Sequence, residues 1–157
     1  MTAQQKLEKL GITLPSPAPP VANYVPYIFS GQHLFVSGQL AFGAGGKIDP
    51  RYAGKLGAQI SVSAGQAAAR LCAINVLAQA KLALGDLDRI LRCVRLGGFI
   101  NAAPGFSNLA AVMNGASDLM VEIFGDRGHH TRSTLGVAEL PLNSAVEVEA
   151  LFEVAPA

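Results

Sequence analysis

The sequence predicts an α+β fold in the order β-β-α-β-α-β-β, with two helices packed on one face of a mixed sheet. Three observations predict it. The stretches 61–84 and 106–124 repeat apolar residues at helical spacing, and a glycine follows each. The stretch 145–154 alternates apolar residues with Glu147, Glu149, Leu151 and Glu153, as a strand with one buried face does. The stretch 24–39 is rich in β-prone residues around Ser-Gly-Gln at 30–32, which predicts a β-hairpin.

The remaining segments supply the other elements of this predicted order. In the first helix Leu71, Ile74, Ala78 and Leu82 share one face, which we expect to pack on the sheet. Residues 89–100 and 132–138 are strand-like, and 101–105 reads as a loop. The glycine-rich stretch 42–47 lacks the spacing of a phosphate-binding loop and does not lie between a strand and a helix, so it is interpreted as a turn.

The chain of 157 residues is expected to form a single domain, 1–157, and its length requires no second domain. Residues 1–22 are interpreted as a helical lead-in followed by a proline-rich linker. Ala3, Leu7 and Leu10 stand at helical spacing before Gly11, and prolines 15, 17, 19 and 20 then favour extended chain.

The composition favours an oligomer and argues against nucleic-acid binding. Half of the residues are apolar and only 15% are charged, which suggests that part of the surface meets another subunit. The formal net charge is +1, and the basic residues are scattered rather than arranged in a stripe that would displace counterions from phosphates.

Cysteine usage and the lack of a leader pattern predict a cytoplasmic protein. Cys72 and Cys93 lie in apolar runs without metal-ligand spacing, so we interpret them as reduced core thiols. The sequence shows no signal-peptide pattern and no apolar stretch of membrane-spanning length, so no membrane partner is expected.

Arg132 lies on a predicted strand that is otherwise nearly uncharged, TRSTLGVA. A guanidinium is always charged, so partial burial requires an anion or several acceptors around it. Two interpretations remain open: an ion pair with Glu139 or Glu147 across antiparallel strands, or a site for a substrate carboxylate.

The segment TRSTLGVAELP, followed by VEVEA, resembles the C-terminal signature of the reactive intermediate deaminase (Rid) family, also called the YjgF or L-PSP family. The usual form of that signature is an Arg-Ser-(Cys or Thr) strand, a Leu-Pro turn and a Val-Glu-(Ile or Val)-Glu strand. The block LFVSGQ at 34–39 is similar to the family's N-terminal Ser-Gly-Gln hairpin, and Tyr24 stands where the family carries a tyrosine. The N-terminal extension, the paired histidines and a longer 125–131 loop resemble a divergent branch.

The resemblance implies a chorismate-mutase-like fold that assembles as a homotrimer, with the sheets forming a central barrel and substrate clefts between subunits. It also implies a set of site residues. The candidates for catalysis are Arg132, which would bind a carboxylate, Glu147, which would orient or deprotonate water, and Thr134, which would bind the water or the substrate nitrogen. The candidates for substrate binding are Tyr24, Ser37, Gly38 and Asn114.

The implied activity is hydrolysis of reactive enamines and imines to 2-oxo acids and ammonia, with no metal and no cofactor. One alternative is a trimer that binds a small carboxylate without turnover. A less favoured one, taken from the family's older label, is an endoribonuclease or translation inhibitor. Structural alternatives also stay open: Glu147 as a partner of Arg132 or a trimer contact, Tyr24 as a packing residue, and Ser37 and Gly38 as hairpin residues only.

His129 and His130 lie close to Arg132 and suggest a metal ligand or a general base. Adjacent side chains on extended chain point in opposite directions, and no third ligand is spaced nearby. A solvated loop is therefore the favoured interpretation.

Overall fold

The structure is a computed structural model and describes residues 1–17 and 22–157, so part of the predicted proline-rich linker, residues 18–21, lies outside the described residues. The helices and strands are α1 (Ala3–Lys9), β1 (Tyr27–Ser30), β2 (His33–Leu40), α2 (Val62–Leu84), β3 (Ile90–Asn101), α3 (Leu109–Phe124), β4 (Thr131–Val137) and β5 (Val146–Val154). After the lead-in helix α1, which Thr2 caps, the order is the predicted β-β-α-β-α-β-β.

The five strands form one mixed sheet in the order β1-β2-β5-β3-β4. All neighbouring pairs are antiparallel except β3 and β4, which are parallel because α3 crosses over between them. Strand β5, the last in sequence, thus lies at the centre, and β3 separates it from β4. This confirms the predicted α+β class.

The core lies between the sheet and the helices α2 and α3, which share one face of it. Along β5 the alternation is as predicted: Val146, Val148 and Phe152 are fully buried. Glu147 and Glu149 therefore project from the opposite face, which is free of helices in the part of the chain that the structure describes. On that open face Ile28, Phe35 and Leu135 are exposed apolar side chains.

The buried side of α2 differs from the predicted one. Leu82 is 59% exposed and Leu71 and Ile74 are only partly buried, whereas small side chains form the buried stripe. That stripe includes Ala68, Ala69, Cys72, Ala73, Val76 and Ala80, and Leu77, Leu84 and the predicted Ala78 are buried as well. The helix packs on the sheet and on α3 at once, and close approach on two sides favours alanine over leucine.

The 23 residues of α2 are also long and apolar enough to cross a membrane, contrary to the expectation that no such stretch exists. In the fold, 61% of its apolar window is buried among protein side chains, as in a core helix. The second helix begins at Leu109 rather than 106, and Phe106 lies in the preceding loop against Gly57.

Helix α3 lies close against the backbone of α2 at Gly115. A Cβ atom there would overlap the carbonyl oxygen of Gln66 and stand 2.8 Å from its carbonyl carbon. Because both atoms belong to the backbone of α2, the helices would have to separate to admit a methyl group. Gly115 thus sets the spacing between α3 and α2, and with it the positions of Asn114 and Ser117.

Gly115→Ala is expected to destabilise the protein by roughly 3 kcal/mol, since overpacking against a rigid backbone is among the costliest single changes. For a domain of this size Tm should fall by about 6 to 12 °C in a thermal scan. Gly43→Ala is the matched control, because its Cβ would meet only the Lys47 carbonyl oxygen at 3.7 Å. Equal Tm values for the two variants would show that α2 and α3 have room to spare.

Candidate functional site

Arg132 lies on the edge strand β4, and its side chain extends to α3. Its Nη1 donates to Asn114 Oδ1 at 2.9 Å and to Ser117 Oγ at 3.0 Å, and its Nη2 donates to the Ala110 carbonyl oxygen at 3.2 Å. A guanidinium has five N–H donors. Within the described part of the chain, Nε–H and one Nη2 hydrogen have no acceptor, and they remain for a ligand.

Ser117 and His130 extend this network. His130 Nε2 lies 2.9 Å from Ser117 Oγ, and its Nδ1 lies 2.7 Å from the carbonyl oxygen of Gly128. Burial lowers the pKa of His130, and the Gly128 hydrogen bond opposes this only in part, while the charge of Arg132 lowers the pKa further. A neutral imidazole on the inner side of the loop results.

The expectation of a solvated histidine loop therefore holds for His129, which is exposed, and is wrong for His130, which is half-buried and hydrogen-bonded. The signal that predicts this is strand alternation. Residues 130, 132 and 134 share one side of extended chain, so His130 faces the same way as Arg132. Ser117 stands three residues after Asn114, one helical turn along the same face of α3.

Glu147, Ser37 and Gly38 lie together at another place, where β2 pairs with β5. The side chain of Glu147 lies over Gly38, where an added Cβ would stand 2.9 Å from the carboxyl carbon. Ser37 and Gly38 form the register shift between Val36 and Gln39, where β2 bulges against β5. Only a residue without a side chain leaves this space for the carboxyl group.

The hydroxyl and the backbone N–H of Ser37 both donate hydrogen bonds to the segment before β1. Its Oγ donates to the Val25 carbonyl oxygen at 2.7 Å, and its backbone N–H donates to the Pro26 carbonyl oxygen at 2.9 Å. Neither the hydroxyl proton nor the backbone N–H of Ser37 is therefore free to bind a substrate. These bonds fasten the segment before β1, which carries Tyr24, to the strand that carries Gly38.

Burial raises the pKa of Glu147, and the nearby charge of Glu149 raises it further. The charge of Arg132 does not offset this shift of the pKa, because Arg132 projects from the opposite face. A carboxylate with a raised pKa is a better proton acceptor than an ordinary surface glutamate. Glu147 thus has the environment of a general base.

Arg132 and Glu147 do not form the ion pair that one interpretation of the sequence proposed. β3 lies between their strands, and the register aligns Glu147 with Phe99 and Leu135, whereas Arg132 aligns with the buried Leu96. Glu139, the other proposed partner, lies 3.5 Å from Lys55 Nζ. The interpretation of Arg132 as a cross-strand ion pair is wrong for this chain.

The hydroxyl group of Thr134 is buried, whereas the side chain of Tyr24 is exposed to solvent. Thr134 shares the face of Arg132, but its Oγ1 is buried and has no hydrogen-bond partner among residues 1–17 and 22–157. A role for this hydroxyl in binding water or substrate gains no support from that position. Tyr24 is 60% exposed, so packing within the protomer does not explain it.

A cavity of about 290 Å³ lies on the open face of the sheet, between β1 and β3. Ser37, Arg95 and Glu149 supply its polar lining, and Tyr27 and Phe35 are among its apolar walls. Arg132 does not line it. One protomer thus carries two groups of candidate residues, one beside α3 and one on the opposite face.

The two cysteines are buried, free thiols. Burial raises the pKa of Cys93 to about 12 and raises the pKa of Cys72 well above its usual value, and Cys72 Sγ donates to the Val146 carbonyl oxygen. Both stay protonated and are not nucleophiles.

Residues 4–154 match the family model described as "YjgF/chorismate mutase-like, putative endoribonuclease". The chain is 50% identical over 149 residues to Protein TCP17 of Trypanosoma cruzi, with 94% of this chain and 91% of that protein covered. It is 43% identical to Atu1372 of Agrobacterium tumefaciens, a protein of unknown function, with a TM-score of 0.90 over 98% of this chain and 94% of that one.

A more distant solved structure contains a ligand. The chain is 25% identical to E. coli TdcF with bound serine, with a TM-score of 0.60 over 89% of this chain and 94% of that one. Together with the mixed sheet and its two helices, these matches confirm the chorismate-mutase-like α+β fold. The chain therefore belongs to the YjgF family, which is also known as the Rid or L-PSP family.

Proposed function

We propose that this protein is a metal-free hydrolase that deaminates reactive enamines and imines to 2-oxo acids and ammonia. The observation that carries the proposal is the pattern of hydrogen bonds made by the Arg132 guanidinium. Three hydrogen bonds anchor it to α3, and two donors remain for a planar anion such as a carboxylate. The relative with bound serine supports a ligand of this kind, because serine carries an α-carboxylate.

The two groups of residues are proposed to meet between subunits. Arg132 and Asn114 lie on the α3 side, while Glu147 and Gly38 lie on the opposite face, so one chain does not bring them to one small substrate. A second copy removes this obstacle. A homotrimer with the open faces inside a central barrel would also bury Ile28, Phe35 and Leu135, which are exposed in the protomer.

In the proposed reaction the substrate is a 2-imino acid, into which an enamine converts by moving a proton. Arg132 of one subunit holds the carboxylate and thereby fixes the imine carbon in the cleft. Glu147 of the neighbouring subunit accepts a proton from water, and the resulting hydroxide forms a bond to the imine carbon. The electron pair of the C=N bond moves to the nitrogen, which takes up a proton, and a carbinolamine results. Collapse of this carbinolamine breaks the C–N bond, releases ammonia and leaves the 2-oxo acid.

The test couples the protein to a pyridoxal-phosphate dehydratase that releases 2-aminoacrylate or a longer imine, and follows the 2-oxo acid. We expect wild type to accelerate its formation over hydrolysis by solvent. No acceleration with any such imine, although a 2-oxo acid binds, would leave the alternative of a carboxylate-binding trimer. Light scattering should give the mass of a trimer, and a monomer would contradict the shared cleft.

The family description also names an endoribonuclease, so an RNA arm belongs in the same experiment. The formal net charge of +1 supplies no cationic track for a phosphate backbone. We expect no RNA cleavage. Cleavage that persists in Arg132→Ala would favour that alternative.

A further inference from the structure

We propose that Ser117 and His130 are positioning residues for Arg132: they hold its guanidinium against α3 so that Nε–H and one Nη2 hydrogen face the substrate carboxylate. This inference rests on the proposed function for the identity of the ligand. It assigns roles to two residues that belong to neither group of candidates predicted from the sequence.

The hydrogen bonds have one consistent direction. The Gly128 carbonyl oxygen can only accept, so Nδ1 of neutral His130 carries the proton and donates to it at 2.7 Å. Nε2 is then an acceptor, and the Ser117 hydroxyl donates to it at 2.9 Å. The lone pairs of Ser117 Oγ are left to accept from Arg132 Nη1 at 3.0 Å. Donors and acceptors are therefore matched along the whole series of hydrogen bonds from Gly128 to Arg132.

The first acceptor in this series of hydrogen bonds, the Gly128 carbonyl oxygen, has a fixed position. Gly128 is buried in the short turn Gly125–Gly128 that follows α3, so its carbonyl oxygen does not move freely. Desolvation and the charge of Arg132 both lower the pKa of His130, which keeps the imidazole in its neutral, accepting form.

The hydrogen bonds that anchor Arg132 to α3 also determine how an anion can approach its guanidinium. Both Nη1 hydrogens are used, by Asn114 and Ser117, so a carboxylate cannot take the end-on pair formed by Nη1 and Nη2. It must take the side-on pair, from Nε and Nη2. Since the guanidinium is already held, little side-chain freedom is lost when the ligand binds.

The test is calorimetric binding of 2-oxobutanoate, which needs no turnover, followed by steady-state kinetics in the coupled assay. Ser117→Ala and His130→Asn should each weaken Kd about tenfold, because each removes one link of the anchor. KM should rise by the same factor while kcat stays within about twofold of wild type, as expected when binding is lost equally in ground and transition states.

The choice of substitutions at His130 separates positioning from packing. An asparagine amide reaches only the Nδ1 position, whereas a glutamine side-chain oxygen reaches the Nε2 position and can accept from Ser117. His130→Gln should therefore restore most of the affinity that His130→Asn loses. His129→Asn is the matched control, since His129 is exposed, and its Kd should equal that of wild type.

Three outcomes overturn the inference: wild-type affinity in Ser117→Ala, equal losses in His130→Gln and His130→Asn, or a fall in kcat without a rise in KM. Failure of the proposed function gives a different pattern. Wild type would then bind 2-oxobutanoate, with the same order of affinities among the variants, and yet not accelerate imine hydrolysis. If wild type neither binds a 2-oxo acid nor accelerates imine hydrolysis, both proposals are wrong.

Discussion

Arg132→Ala is expected to lower kcat/KM for imine hydrolysis by about three orders of magnitude, which corresponds to ~4 kcal/mol of lost transition-state stabilisation. A charge-assisted pair of hydrogen bonds disappears, and with it the orientation of the imine carbon toward water. Protein folding should be little affected, because Asn114 is exposed and regains water as a partner. The measurement is the coupled dehydratase assay, with light scattering to check that the assembly is unchanged.

Two further variants sharpen this result. Arg132→Lys keeps the charge but not the planar fork, so it should recover only a small part of the lost kcat/KM. Arg51→Ala is the matched control for removing a surface arginine, because the side chain of Arg51 is 74% exposed and its ion pair is with Asp49. Activity retained in Arg132→Ala would exclude Arg132 from the site.

The fold was predictable because its signals are local. Period-two alternation identifies the buried side of β5 without any knowledge of its neighbours, and helical spacing identifies α2 and α3. The buried stripe of α2 was not predictable in the same way. Leu77 is fully buried but Leu82 is exposed, so large apolar residues do not by themselves mark the core side, and most of the buried residues are alanines because the sheet and α3 both approach the helix.

The relation between Arg132 and Glu147 shows where sequence reasoning ends. β4 and β5 are consecutive in the chain, which favours an antiparallel pair and an ion pair across it. In the sheet, β3 enters between them and pairs with both, parallel to β4 and antiparallel to β5. Strand order is a property of the whole fold, so no pattern within residues 131–154 reveals it.

The surroundings of Arg132 were only partly predictable. Asn114 was expected from the family resemblance, and its hydrogen bond to Arg132 supports that assignment. Ser117 was missed because nothing in a helical serine indicates a partner on a strand. His130 carried a readable signal, since it stands two residues before Arg132, but a pair of histidines on a loop suggested solvent.

A mixture of two inactive variants is expected to recover activity. Arg132→Ala and Glu147→Gln should each be nearly inactive alone, since one lacks the carboxylate anchor and the other the base. In a trimer that contains both kinds of chain, one cleft joins the intact Arg132 of one subunit to the intact Glu147 of its neighbour. Random assembly from equal amounts should restore about a quarter of wild-type activity, because three quarters of trimers are mixed and one of their three clefts is complete.

The controls for this mixture distinguish a shared cleft from a site within one chain. The double variant Arg132→Ala, Glu147→Gln mixed with Arg132→Ala should stay inactive, because no cleft then receives an intact arginine. If both residues acted on one substrate within a single chain, every chain in the original mixture would carry a defect, and no activity would return. Recovery would therefore require that a substrate bound by Arg132 of one subunit reacts against the open sheet face of another, which is the arrangement proposed from the opposite faces of Arg132 and Glu147.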